Sequence, residues 1–243
     1  MANIVIHVGL HKTGTTFLQY EIFSKLKNTN CTFLLKYETK IYDDKINIIS
    51  DEELSVNPFT PTYHREHLDC DYRFVIADRL HSIFPDAKII LGIRDKESWV
   101  RSIYSQYVKS GGIYSFDIFR KDIFDESFLD FDAYIKCLKG LFDEVFVYHL
   151  EDLKKDNDSF VKNICDFIGA EVPDYESTIY ENKLSKRQIK MALFLNRFFA
   201  SDFNPKRGII PWTPYSNPRF IIDPTYWRTR SIVNKRTKRS YLR

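Results

Sequence analysis

Within eight residues, Gly9-Leu-His-Lys-Thr-Gly14-Thr15-Thr16 gathers two glycines, one lysine and three threonine hydroxyls. The run follows an apolar stretch, Ile4-Val-Ile-His-Val8, and precedes the helical spacing of Phe17, Leu18, Ile22, Phe23 and Leu26. A glycine-containing turn from strand to helix aims backbone N–H groups and a helix N-terminus at one point, which makes an anion site. A second constellation is Lys88-Ile-Ile-Leu-Gly-Ile-Arg94-Asp95, followed by Ser98-Trp99-Val100-Arg101-Ser102. Arg94 at a strand end and Ser102 two helical turns later can grip a phosphate with a guanidinium and a hydroxyl. An Arg-Asp turn with a solvated helix serine gives the same pattern without any ligand.

Gly9 and Gly14 have the separation of the glycines in a Walker A loop, but Thr15 stands where that loop has its lysine, and the lysine comes earlier, at Lys12. A nucleotide triphosphatase needs that lysine to reach the β and γ phosphates and a strand-terminal carboxylate to hold Mg²⁺; here the strand ends in Arg94. Lys12 is therefore expected to act as a point charge beside a shorter anion. A P-loop small-molecule kinase, and a nucleotide-binding module that has lost catalysis, are the competing readings.

These residues need a scaffold of strands and helices. Short β-branched or aromatic runs predict strands at 3–8, 31–35, 46–50, 87–93 and 144–148, and apolar periodicity predicts helices at about 63–84, 96–110, 130–141, 157–168 and 185–200. Pro85 and Gly169 mark two of the helix ends. The alternation implies an α/β fold, a mainly parallel sheet covered on both faces. Five prolines between 202 and 227 forbid long regular elements there. The 243 residues are read as a single domain over 1–227 with a basic tail at 228–243.

That tail holds seven cations and no acid, which leaves 1–227 at net −4 against +3 for the whole chain. A nucleic-acid protein spreads its basic surface over the folded body, so no nucleic-acid partner is expected; the tail is either frayed and solvated or a peripheral contact for an anionic surface. Cys31, Cys70, Cys137 and Cys165 are dispersed, without C-x-x-C spacing, and are read as reduced thiols. The N-terminus lacks a basic n-region and no apolar run reaches membrane-span length, so the expected location is cytoplasmic, or peripheral at the inner membrane face, and anionic lipid or glycan is what the tail could touch.

Together the two motifs resemble the sulfotransferase family that uses 3′-phosphoadenosine 5′-phosphosulfate (PAPS). In that family a K-[ST]-G-T-[TS] loop binds the 5′-phosphosulfate, and a strand ending in Arg, with Ser eight residues on, binds the 3′-phosphate. GLHKTGTTFLQ, FPDAKIILGIRDKESWVRSIYSQYVKSGG, Tyr148-His-Leu-Glu-Asp-Leu and Phe167-Ile-Gly are most similar to the bacterial glycan-modifying branch and its heparan-type relatives. The likeness covers about residues 3–200. It implies a P-loop-like three-layer fold, sulfuryl transfer to a hydroxyl of a carbohydrate or glycolipid acceptor, and no metal. Donor contacts are implied at His11, Lys12, Thr13, Gly14, Thr15, Thr16, Arg94 and Ser102, with Lys12 also catalytic.

Family members carry an acceptor-side base on the loop after the intervening strand. Here that loop is Ile49-Ser50-Asp51-Glu52-Glu53-Leu54, and the base is placed at Glu52. Two adjacent carboxylates after a strand also make an ordinary solvated turn, and Glu53, Glu38 and His64 are the other candidates. His64 and His67 share a helix face, but without a third ligand they make no metal site. Asn182-Lys-Leu-Ser185 resembles a segment that closes over the nucleotide; Ser185 with Gln188 three residues on is equally a capping box.

Overall fold

The computed structural model describes residues 2–33, 39–59, 71–177, 184–204 and 208–211. The expected candidates Glu38, His64 and His67, together with Cys70 and the tail, lie outside the described residues. The described residues cluster into two compact units, one containing 2–58, 71–99 and 125–177, the other 59, 100–124, 184–204 and 208–211.

The first unit is built on a five-stranded sheet in the order β2-β3-β1-β4-β5: β1 Asn3–His7, β2 Thr29–Phe33, β3 Ile46–Ser50, β4 Lys88–Ile93 and β5 Val145–His149. Every pair is parallel, with β1 central; Ile6 lies opposite Ile49 on one side and Ile89 on the other. Successive residues of a strand face opposite ways, and Val5, Ile6, Ile89, Ile90 and Leu91 are all fully buried. Both faces of the sheet are therefore covered, the α/β arrangement the unbroken apolar runs predict.

The covering helices are α1 Thr15–Phe17, which widens into a π-type stretch at Leu18–Ile22, then α2 Tyr72–Ile83, the start of α3 Lys96–Lys109, α5 Phe131–Leu141, α6 Leu150–Lys155 and α7 Asn157–Ile168. Asp71, Asp130 and Asp156 cap α2, α5 and α7 by accepting backbone N–H bonds, and Gly169 ends α7 at φ 83°. Arg73 is fully buried, paired with Asp71 and stacked between the Phe128 and Tyr134 rings, and joins α2 to the segment before α5. The elements that were not predicted include α6 and the 3₁₀ turns Glu52–Ser55 and Glu126–Leu129.

The second unit contains the rest of α3, α4 Phe116–Asp122, α8 Lys186–Asn196 and the paired two-residue strands β6 Phe199–Ala200 and β7 Ile210–Pro211. The helix expected over 185–200 ends at Asn196 because Phe199 and Ala200 pair with β7 instead. Tyr104, Tyr107, Phe119 and Phe124 are buried, and Tyr107 packs against the rings of Phe59, Phe119 and Phe203. These aromatics form a core. Asn196 ties it together by donating to the carbonyls of Val108 and Gly112.

Candidate active site

The loop between β1 and α1 stands at the carboxyl edge of the sheet, where ligands of parallel α/β sheets collect. Its six carbonyls from Gly9 to Gly14 each accept a hydrogen bond: Ser55 Oγ on Gly9 (3.1 Å), Thr13 Oγ1 on Leu10 (2.6 Å), the Trp99 indole on His11 (2.7 Å), Arg94 Nη1 on Lys12 (2.9 Å), Tyr148 Oη on Thr13 (3.2 Å) and the Leu18 amide on Gly14 (3.2 Å). A trans peptide sets its N–H opposite its C=O. Turning the carbonyls toward these donors therefore turns the amides of residues 11–15 the other way, where an anion can gather them. Positive φ at Lys12 (67°) and Gly14 (95°) lets the chain curl so tightly. Thr15 lies buried beside Gly9, and its Oγ1 has no hydrogen-bond partner. A buried hydroxyl without a partner is costly unless a ligand satisfies it, so the loop fits a phosphate or sulfuryl oxygen.

A buried polar chain supports the loop from below. Gln19 Nε2 donates to Ser50 Oγ (3.1 Å), Ser50 Oγ meets His7 Nδ1 (2.7 Å), and His7 Nε2 meets Tyr148 Oη (3.2 Å), which donates to the Thr13 carbonyl. One direction uses every hydrogen: Gln19 to Ser50, Ser50 to His7 Nδ1, His7 Nε2–H to Tyr148, Tyr148 to Thr13. It requires a neutral imidazole. Burial takes the His7 pKa down to about 3, against a weaker opposing pull from Glu52, so the ring is neutral throughout the physiological range. Gly92 makes room for this chain, since a Cβ there would collide with Tyr148 Oη and Thr13 Oγ1.

Arg94 directly follows β4, and its described partners are Ser98 and the Lys12 carbonyl. Its Nε and Nη2 donate to Ser98 Oγ (3.1 and 2.9 Å) while Nη1 holds the Lys12 carbonyl. These contacts use three of its five N–H groups. Burial lowers its pKa, opposed by Glu151 and Asp95, yet a guanidinium remains a cation. Ser98 lies four residues on, in the first turn of α3. Ser102 is buried on α3 and belongs to the second unit. Ser185, also in the second unit, makes the capping box in full, accepting from Gln188 N (3.3 Å) and donating its own N–H to Gln188 Oε1 (2.8 Å).

Glu52 begins the 3₁₀ turn after β3, which Asp51 caps through Glu53 N. The turn is held to the loop by Ser55, and brings Glu52 Oε1 within 3.5 Å of His11 Nδ1, with Glu53 Oε1 3.9 Å from His11 Nε2. Burial pushes the Glu52 carboxyl up, but contact with His11 and the charges of His11 and Lys12 outweigh it and hold it below the usual value. Sequence reasoning placed His11 among the donor contacts and missed the second role this pairing gives it. It also missed His7, Gln19, Trp99 and Tyr148; Trp99 and Tyr148 reach the loop from distant parts of the chain, while His7 and Gln19 meet on Ser50 beneath it. Among the described residues, no cluster of three or more His, Cys, Asp or Glu is placed to hold a metal ion.

The model of the sulfotransferase domain matches residues 4–174, well over half of the chain. The chain belongs to the sulfotransferase family. No curated protein matches it, but solved structures do. A sulfotransferase from Alicyclobacillus acidocaldarius, 17% identical, superposes at a TM-score of 0.51 over 74% of this chain and 86% of the other. Mouse sulfotransferase SULT7A1, complexed with PAP, gives 0.46 at 17% identity over 81% of this chain and 65% of its own. The P-loop-like α/β architecture expected from the sequence is thus shared with a solved sulfotransferase.

Proposed function

We propose that this sulfotransferase uses PAPS as donor and a hydroxyl of a carbohydrate or glycolipid as acceptor. The observation that carries the donor assignment is the loop with its carbonyls all turned outward, Lys12 at its crest and the unpartnered Thr15 hydroxyl, facing a strand that ends in Arg94 rather than a carboxylate. A donor with anionic groups at its 5′ and 3′ positions needs two cationic subsites. Lys12 and the loop amides take the phosphosulfate, with Thr13, Gly14 and Thr16 completing the motif, and Arg94 takes the 3′-phosphate. The motif resemblance adds Ser102 and Ser185 as hydroxyl contacts to the nucleotide.

In the reaction the acceptor oxygen bonds to sulfur as the bond from sulfur to the bridging phosphate oxygen breaks, and adenosine 3′,5′-bisphosphate leaves. Glu52 receives the acceptor's proton; its side chain is 42% exposed and so within reach of a substrate. Lys12, the loop amides and the start of α1 stabilise the charge that grows on the leaving phosphate. The acceptor class rests on the resemblance to the glycan-modifying branch. So does a cytoplasmic location in which the seven-cation tail at 228–243 touches an anionic surface; no helix among the described residues is long and apolar enough to cross a membrane.

Incubating the protein with PAPS carrying radiolabelled sulfur and a glycan fraction tests this. Label should enter the glycan, and transfer should continue in excess EDTA. Transfer that stops with EDTA and returns with Mg²⁺, or phosphate transfer from a nucleoside triphosphate, would mark a kinase. Binding of the bisphosphate with no transfer to any acceptor would mark an inactive module.

A further inference from the structure

Glu52 alone makes an unsatisfactory base. A carboxylate held below its ordinary value by a neighbouring cation has little affinity for a proton at neutral pH, whereas an efficient base is matched to the pH at which it works. The imidazole behind it supplies what it lacks. His11 is anchored by its carbonyl on the Trp99 indole, and its side chain is 8% exposed, against 42% for Glu52 and 63% for Glu53. A substrate can therefore touch Glu52 but reaches His11 only through it. The two ring nitrogens face different carboxylates, Nδ1 toward Glu52 at 3.5 Å and Nε2 toward Glu53 at 3.9 Å, and Nε2 is buried without a hydrogen-bond partner. A hydrogen on Nε2 is directed at Glu53. Nδ1 is then the nitrogen free to gain or lose a proton against Glu52.

On the reading of the protein as a sulfotransferase with Glu52 at the acceptor, we propose that Glu52 and His11 accept the proton of the acceptor hydroxyl together. The carboxylate receives it from the substrate, and imidazole Nδ1 stores it until product leaves. The balance is simple: the O–H bond of the acceptor breaks, Glu52 Oε1 carries the proton to Nδ1, and the turnover ends with Glu52 ionised and His11 an imidazolium. Solvent removes that proton before the next cycle. His11 is thus a positioning and storage residue acting through Glu52.

The charges around the ring set the direction. Burial lowers the His11 pKa, but the contact with Glu52 and the negative charges of Glu52 and Glu53 raise it further than burial lowers it, with Lys12 on the same loop opposing. Asp51 acts on Glu53; His7 is neutral in this range, and Trp99, which reaches the loop from α3, is uncharged. A proton on the pair therefore rests on His11, and the pair must lose it before it can accept another. Activity should appear as pH rises through a midpoint above 6.5, the ordinary histidine value.

Two measurements on the full chain decide the matter. In the first, NMR titration of the histidine ring carbons, no turnover is needed. The His11 midpoint should lie above 6.5 in the native protein and fall by at least about one unit in Glu52→Gln, which removes the charge and the proton partner. An unchanged midpoint overturns the pairing. In the second, the acid limb of kcat/KM with pH should move down by more than about one unit in His11→Gln, toward the carboxylate range, with a plateau at least about tenfold lower. A lower plateau with the limb unmoved overturns the proposal, since loss of structure alone lowers activity without moving the midpoint. His11→Asn is the second variant, and circular dichroism checks that each protein is folded. If the native protein transfers no sulfuryl group at all, the sulfotransferase reading fails by itself and the NMR midpoints still judge the pair.

Discussion

Acid should weaken this protein through His7, whose proton affinity the fold suppresses. In the unfolded chain the ring takes a proton near its ordinary 6.5; in the folded protein burial holds it to about 3. Between those values the unfolded state binds one proton more than the folded state, so stability falls as pH falls, by about 1.4 kcal/mol for each pH unit. From pH 7 to pH 5 the loss from this one ring is about 2 kcal/mol, a large part of a typical domain's 5–15 kcal/mol. Urea unfolding followed by circular dichroism at pH 7, 6 and 5 would measure it, with His7→Gln as the reference. Glutamine keeps a donor and an acceptor for Ser50 and Tyr148, where phenylalanine would leave both unpaired. His11 contributes with the opposite sign: its raised pKa adds stability below 6.5 that is lost as pH rises through the folded value. It is present in both proteins and cancels in the difference. The native curve should therefore drop by about 2 kcal/mol more than that of His7→Gln between pH 7 and pH 5. Parallel curves would mean that His7 is protonated in the fold, and the directed chain from Gln19 to Thr13 would have to be abandoned.

Three further outcomes test the donor and acceptor sites. Lys12→Ala and Arg94→Ala should each weaken binding of adenosine 3′,5′-bisphosphate by about 10- to 100-fold in calorimetry, since each removes a charge-assisted contact of about 1.5–3 kcal/mol. Thr15→Val should raise the unfolding free energy of the free protein by about 1 kcal/mol or more, because it removes a buried hydroxyl that has no partner, yet weaken bisphosphate binding about tenfold. Glu52→Gln should keep bisphosphate affinity within a few-fold while turnover falls by about 10²–10⁴; the same change at Glu53 and Glu38, and His64→Ala, should spare turnover.

What could be read in the sequence divides along a physical line. The strand at 88–93 is legible because a strand buried on both faces is a nearly continuous apolar run, and Gly9 to Thr16 is legible because anion binding by a backbone demands a local pattern. Short elements such as α4 and α6, of seven and six residues, carry too few turns for a period to emerge. The support beneath the loop is illegible for another reason: His7 meets Ser50 across 43 residues and Tyr148 across 141. The one sign it left was a histidine inside an apolar run. At Arg94 the motif resemblance directed attention to Ser102, and the nearer Ser98, in the first turn of α3, is the hydroxyl that its guanidinium meets.

Arg94 also shows why the lysine can sit early in the loop. A non-glycine residue at φ 67° is held in a region that costs of order 1 kcal/mol or more, and such strain persists only where surrounding contacts over-determine it. The guanidinium supplies one such contact by binding the Lys12 carbonyl, and the indole of Trp99 supplies another on the residue before. The cation proposed for the 3′-phosphate thus also fixes the backbone that cradles the 5′ group. Arg94→Lys separates the two duties: it keeps a positive charge for the phosphate but cannot fork between Ser98 and the Lys12 carbonyl. Should it recover much of the bisphosphate affinity lost in Arg94→Ala while turnover stays low, charge binds the donor and the loop's shape aligns it. Full recovery of both would reduce Arg94 to a point charge and leave the strain at Lys12 to other contacts.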